Sequence, residues 1–125
     1  MKYLLVYHDD HAVGDAVAAD HPSVEQVQAG VDEQAYRAAC EGWQAEMTGQ
    51  GVLLATMGLL PPEEESFLRV RDGRTLIADG PFAETREQMG GVSLIECADF
   101  DHARQVAASH PWAAVGAIEI RAVRG

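Results

Sequence analysis

The sequence predicts an α+β fold, a ferredoxin-like sandwich of two split βαβ halves with a β-hairpin inserted between them. Three observations predict it. Strand-length apolar runs alternate with two stretches of helical periodicity in the order β-α-β, hairpin, β-α-β. Asp72-Gly73 lies between two alternating segments, a strong hairpin signal because a type I′ turn needs positive φ at both central positions. The length, 125 residues without a linker, low-complexity tract or internal repeat, fits one domain over 1–125.

Each element follows from its residues. Lys2 to Tyr7 is apolar on both faces, as a central strand requires. His8 to His21 is polar and small, and Pro22-Ser23 opens a loop or helical turn. Asp32 to Thr48 is the clearest helix, with Tyr36, Cys40, Trp43 and Met47 at helical spacing and Glu33, Arg37 and Glu41 as i,i+4 neighbours outside. Gly49 and Gly51 end it. Val52 to Met57 reads as a second buried strand, stopped by Gly58 and Pro61-Pro62. The acidic run Glu63 to Glu65 is a solvated connection. Ser66 to Arg71 and Arg74 to Ala78 are the hairpin arms, each with one wet face. Gly91 to Cys97 is the next strand. Asp99 can cap a helix running to His110, which Pro111 stops, and His102 stands where a capping-box glutamate would help. Val115 to Val123 closes the chain as a strand.

Charge then excludes partners. Nine Lys+Arg stand against twenty Asp+Glu, a net charge of −11, and Lys2 is the sole lysine. Nucleic acid and anionic membrane surfaces both depend on clustered cations, so neither is expected. The apolar run after Lys2 is too short for a secretory core, and no stretch approaches a membrane span. Cys40 and Cys97 lie far apart in apolar patterns and read as reduced and buried, so a cytoplasmic setting is expected.

The densest chemical signal runs from Thr75 to Gly91. A strand ends at Asp79, and Gly80-Pro81 forces a rigid turn that holds this carboxylate in one direction. Two readings stand: an Asx-turn acceptor serving only the backbone, or a reactive group. His8-Asp9-Asp10-His11 resembles a metal patch but lacks a helical frame and a third ligand, so no metal is expected. Phosphate loops, dinucleotide fingerprints and nucleophile elbows are all missing, and no cofactor is expected.

Asp79-Gly80-Pro81-Phe82-Ala-Glu84-Thr85-x-Glu87-Gln88-x-Gly90-Gly91, with the Met1-Lys2-Tyr3 start and Gly116-x-Ile118-Glu119-x-Arg121, resembles the DGPF branch of the YCII-related family over nearly the whole chain. The resemblance implies a dimeric α/β barrel, cytoplasmic and bacterial, from a family that includes a dehydrochlorinase and is proposed to use a His/Asp pair. Cys40 occupies the position of the family histidine and His110 that of the family aspartate, so the pair is not carried over. Asp79 and His110 are what this sequence offers instead.

The expected protein is thus a homodimer whose strand face, with positions such as Leu4, Val6, Leu54, Leu94 and Ile120, is buried against a twin. A cleft would hold a small organic molecule between Trp43, Glu46, Pro81 and Phe82, with Asp79 and His110 as acid and base for proton transfer or elimination. The rivals are a non-catalytic binding or regulatory module using the same cleft, and a dimer whose turn serves only folding. For His110 the plain alternative is a bond to the last carbonyls of its helix.

Overall fold

A computed structural model describes residues 1–8, 32–59, 66–79 and 89–125, Met89 by its backbone alone. The elements run β1 Lys2–His8, α1 Glu33–Gly49, β2 Leu53–Gly58, β3 Ser66–Arg71, β4 Arg74–Asp79, β5 Met89–Glu96, α2 Phe100–Ala108, a 3-10 turn Pro111–Ala114 and β6 Ala117–Ala122. Among the described residues, β2-β5-β1-β6 form one sheet and β3-β4 another. All neighbouring strands are antiparallel, so β1 and β2 run together against β5 and β6. Leaving the hairpin aside, this is the split βαβ order, and the ferredoxin-like α+β expectation holds.

Register decides the faces. Tyr3, Leu5 and Tyr7 of β1 oppose Ile95, Ser93 and Gly91 of β5 and Ala122, Ile120 and Ile118 of β6. With Trp43 and Met47 of α1 and Ala103, Val106 and Ala107 of α2, the β1 residues and Ile95 make the core. Both helices therefore cover one face, because side chains alternate along a strand. Leu4, Val6, Val92 and Leu94 point to the other face, joined by Met57, which is exposed. Ile120 pairs with Leu5 and packs against the core, so it belongs to the helix side and not to the expected twin-facing set. Among the described residues no helix is long and apolar enough to cross a membrane.

Local chemistry explains the ends. Asp32 accepts the N–H groups of Gln34 and Ala35 at 2.9 and 3.2 Å, so it caps α1 and stands outside it. Asp99 accepts the His102 N–H at 2.8 Å. The His102 ring in turn accepts the Ala98 N–H at 3.1 Å, doing part of the work expected of a capping-box glutamate. The expected buried strand 52–57 is an edge strand whose residues after Leu53 are exposed, since β5 covers one side and nothing described covers the other. Leu54 falls at an irregularity in the β2-β5 register.

Gly91 has a packing reason. A Cβ there would lie 2.7 Å from the Met57 carbonyl oxygen and 3.3 Å from Gly58 Cα, backbone atoms that cannot step aside. At Gly90 the nearest atom would be the Tyr7 carbonyl oxygen at 3.7 Å, an ordinary contact. Gly91→Ala is therefore expected to cost about 1–3 kcal/mol in denaturant unfolding. Gly90→Ala, by contrast, should change stability by less than about 1 kcal/mol. Equal losses in the two variants would contradict the register.

Candidate functional site

Ordered side chains gather where β1 ends, at Tyr7 and His8. The β1-β5 register slips between these two residues, a kind of irregularity that re-aims side chains at such places. The 3,4 spacing of α1 sets Tyr36, Cys40 and Trp43 along one stripe above. Below, α2 stops at Ala108, and the chain turns through Ser109 and His110 into the 3-10 turn, with Pro111 opening it where a missing N–H does no harm.

His110 lies at the centre and is buried. Its ring stacks at a tilt on Tyr7, centroids 4.7 Å apart, and meets Trp43 edge-on at 4.5 Å. The Trp43 indole N–H donates to Ser109 Oγ at 3.0 Å, and that hydroxyl donates to the Val106 carbonyl at 2.7 Å. Trp112 stands beside them, its indole N–H donating to the His8 carbonyl at 3.0 Å and its ring edge-on to Tyr36. Beneath, the Tyr7 hydroxyl lies 2.6 Å from Ser93 Oγ, which lies 2.7 Å from Thr56 Oγ1.

The electrostatics follow from burial. His110 does not bond the last carbonyls of α2 through its ring. It caps the 3-10 turn, its Nδ1 accepting the Trp112 backbone N–H at 2.9 Å. Burial lowers its pKa to about 4, so the ring is neutral near pH 7. With Nδ1 occupied as an acceptor, the single ring proton sits on Nε2. His110 is thus built as a hydrogen-bond donor at Nε2, and its basic nitrogen is already engaged. Burial also raises the Tyr7 and Tyr36 phenols, Tyr36 further through the Cys40 thiol hydrogen-bonded to it, and both remain protonated at neutral pH.

Of the residues singled out by sequence, Trp43 and His110 are brought into ring contact. Glu46 is exposed, and its carboxylate accepts from the Gln50 side chain at 3.4 Å. Asp79 ends β4, exposed, and accepts the Ser66 hydroxyl at 2.9 Å. No hydrogen bond or ion pair joins it to His110 among the described contacts. Pro81 and Phe82 lie outside the described residues, as do Asp9, Asp10 and His11, while His8 bonds Glu119 at 2.9 Å. β2 ends and β5 begins at this same end of the sheet. Gly58 pairs with Gly91, which is opposite Tyr7, and Met89 pairs with His8.

The model of the YCII-related domain family matches residues 1–125. The chain belongs to this family. An uncharacterized protein of Rhizobium meliloti (strain 1021), R00369, is 40% identical over 67 residues, spanning 50% of this chain and 52% of that protein. The chain therefore matches about half the length of that curated relative. Among solved structures, 5-chloro-2-hydroxyhydroquinone dehydrochlorinase from Burkholderia phenoliruptrix AC1100, in complex with 2,5-dihydroxybenzoquinone, superposes with a TM-score of 0.50 at 12% identity. The superposition covers 99% of this chain and 94% of that one. At that identity the likeness speaks for the fold, and the YCII-related chain shares its architecture.

Sequence reasoning missed Tyr7, Tyr36, Ser93 and Trp112 as members of the cluster. Only the register places Ser93 beneath Tyr7. For Trp112 a signal existed: an aromatic directly after His110-Pro111, where proline starts a new turn.

Proposed function

We propose that this YCII-related protein is a small-molecule enzyme of the acid–base kind, acting as a homodimer in the bacterial cytoplasm on a planar, oxygen-bearing organic substrate. The observation that carries the reading is the neutral His110 imidazole, held in one tautomer among Tyr7, Trp43 and Trp112. Aromatic walls suit a flat conjugated ring. A fixed Nε2–H donor stabilises negative charge that develops on a substrate oxygen, as neutral imidazoles do in other enzymes. In this reading Asp79, which directly precedes the Gly80-Pro81-Phe82 motif in sequence, is the base that takes a proton from substrate carbon. Glu46 stands at the rim. The dehydrochlorinase neighbour, with its dihydroxybenzoquinone, illustrates such a substrate class on this fold. On the sheet face away from the helices Val6 is already buried within the chain, while Leu4, Val92 and Leu94 are half-buried and Met57 is exposed; that remaining apolar surface supports the homodimer, since a second copy would cover it.

The second reading is a binding module without turnover, and the same cluster serves it. Asp79→Asn separates the two. The amide keeps an oxygen for the Ser66 hydroxyl, and the site is exposed, so stability should move by no more than about 0.5 kcal/mol. With 2,5-dihydroxybenzoquinone as probe, thermal stabilisation is expected to persist in the variant. Turnover of chlorinated hydroquinones by the wild type should fall by about 100-fold or more. Stabilisation without turnover in the wild type would favour the binding module.

A further inference from the structure

Three hydroxyls run in series across the sheet on its helix side. Ser93 is opposite Leu5 on one flank and Thr56 on the other, so Ser93 and Thr56 are cross-strand partners on one face. The Tyr7 hydroxyl lies 2.6 Å from Ser93 Oγ, and Ser93 Oγ lies 2.7 Å from Thr56 Oγ1. Ser93 is fully buried, whereas Thr56 is exposed on the edge strand β2. The row therefore starts beside His110, whose ring stacks on Tyr7, and ends at solvent.

Each member can donate and accept, so the row has two polarities. In the first, Tyr7 donates to Ser93, Ser93 to Thr56, and Thr56 to the Val92 carbonyl, which it meets at 3.4 Å. In the second, water donates to Thr56, Thr56 to Ser93 and Ser93 to Tyr7. The phenol proton is then released from Ser93, which among the described residues is the sole hydrogen-bond partner of that hydroxyl. Ser93 alone would satisfy Tyr7, and Thr56 adds the route to water. That route matters because burial raises the Tyr7 phenol. Giving up its proton would leave a costly buried phenolate unless another proton arrives at once.

We propose that Tyr7 donates a proton to the substrate oxygen beside His110, and that Ser93 and Thr56 relay its replacement from solvent. This rests on the acid–base reading above and adds to it the source of the proton. The Tyr7 O–H bond breaks as the substrate O–H bond forms. Tyr7 takes the Ser93 proton, Ser93 takes that of Thr56, and Thr56 takes one from water. Negative charge thus passes from the substrate oxygen to solvent, and the row is left in its first polarity. Tyr7 touches the substrate, while Ser93 and Thr56 act through it.

Thr56→Val tests the relay, because it keeps the branched shape at an exposed position and leaves the Tyr7–Ser93 bond in place. With chlorinated hydroquinones as substrates, kcat should fall about tenfold or more while KM and the thermal midpoint hold. Thr56→Ser should restore kcat. In mixtures of light and heavy water the wild-type kcat should fall along a curve, the mark of several protons moving together. For Thr56→Val the same plot should be straight. Wild-type kcat in both variants, with an unaltered isotope profile, overturns the relay and leaves the enzyme standing. A loss that Thr56→Ser does not restore is a loss of shape, and it overturns the relay too. A wild type that is stabilised by 2,5-dihydroxybenzoquinone but turns over none of these substrates overturns the acid–base reading, and the relay with it.

Discussion

Acidification is expected to remove about 3 kcal/mol of stability through His110 alone. In the unfolded chain an imidazole titrates at its ordinary 6.5, whereas burial in the folded protein lowers it to about 4. The proton thus prefers the unfolded chain. The His110 contribution is complete above pH 6.5 and shrinks at about 1.4 kcal/mol per pH unit as pH falls toward 4. Contacts show the cause. The ring is enclosed by Tyr7 and Trp43, with no carboxylate among the described residues bonded to it. A second ring proton would land on Nδ1, which already faces the Trp112 N–H, setting two donors against each other. Thermal unfolding across pH 7 to 4 should show the midpoint falling by on the order of 10 °C. His110→Asn keeps a side-chain acceptor for the turn and cannot titrate. Its midpoint should be lower at pH 7 but flatter in this window. Parallel profiles for the two proteins would show that the acid sensitivity lies elsewhere.

That histidine also shows what could be read from sequence and what could not. His110 stood out because it precedes a proline at the end of a helical pattern, and the structure does put it at the centre of a cluster. Its role needed coordinates. Helix-end preference pointed to the carbonyls of α2, but Pro111 restarts the chain as a 3-10 turn whose free N–H groups need an acceptor, so the ring faces forward. The helices and the hairpin followed from local signals: Asp32 and Asp99 caps, the Trp43 and Met47 stripe, the Asp72-Gly73 turn with Asp72 at φ 54°. Strand exposure did not, because burial of β2 depends on which strands pair and in what order. The same holds for Ile120, whose face is set by its partner Leu5. Site residues contributed by strands, Tyr7 and Ser93, were hidden for this reason, being distant in sequence and joined only by register. The motif's Gly91 stands out in sequence as a family feature, and packing explains it as a position paired so closely with the end of β2 that no side chain fits.

A comparable constraint at Gly116 yields the other large effect. A Cβ added there would fall 2.4 Å from Cε2 and Nε1 of the Trp112 indole. The indole cannot retreat cheaply, because its N–H is bonded to the His8 carbonyl and its backbone closes the turn, the Gly116 N–H donating to the Trp112 carbonyl at 2.8 Å. Gly116→Ala should therefore swing the indole out. Overpacking costs about 1–3 kcal/mol, and loss of the His8 bond adds about 1 kcal/mol. The strand pairing of β6 begins only at Ala117, opposite His8, so the sheet itself should survive and far-UV circular dichroism should be unchanged. In a Trp43→Phe background, where Trp112 is the remaining indole of two, its emission should shift to the red as it enters water. Binding of 2,5-dihydroxybenzoquinone should weaken about tenfold or more if Trp112 forms a wall of the site. Wild-type emission together with wild-type affinity would place the ligand away from this indole. Red-shifted emission with unchanged affinity would confine Trp112 to holding the end of β1, leaving His110 and Trp43 to meet the ligand.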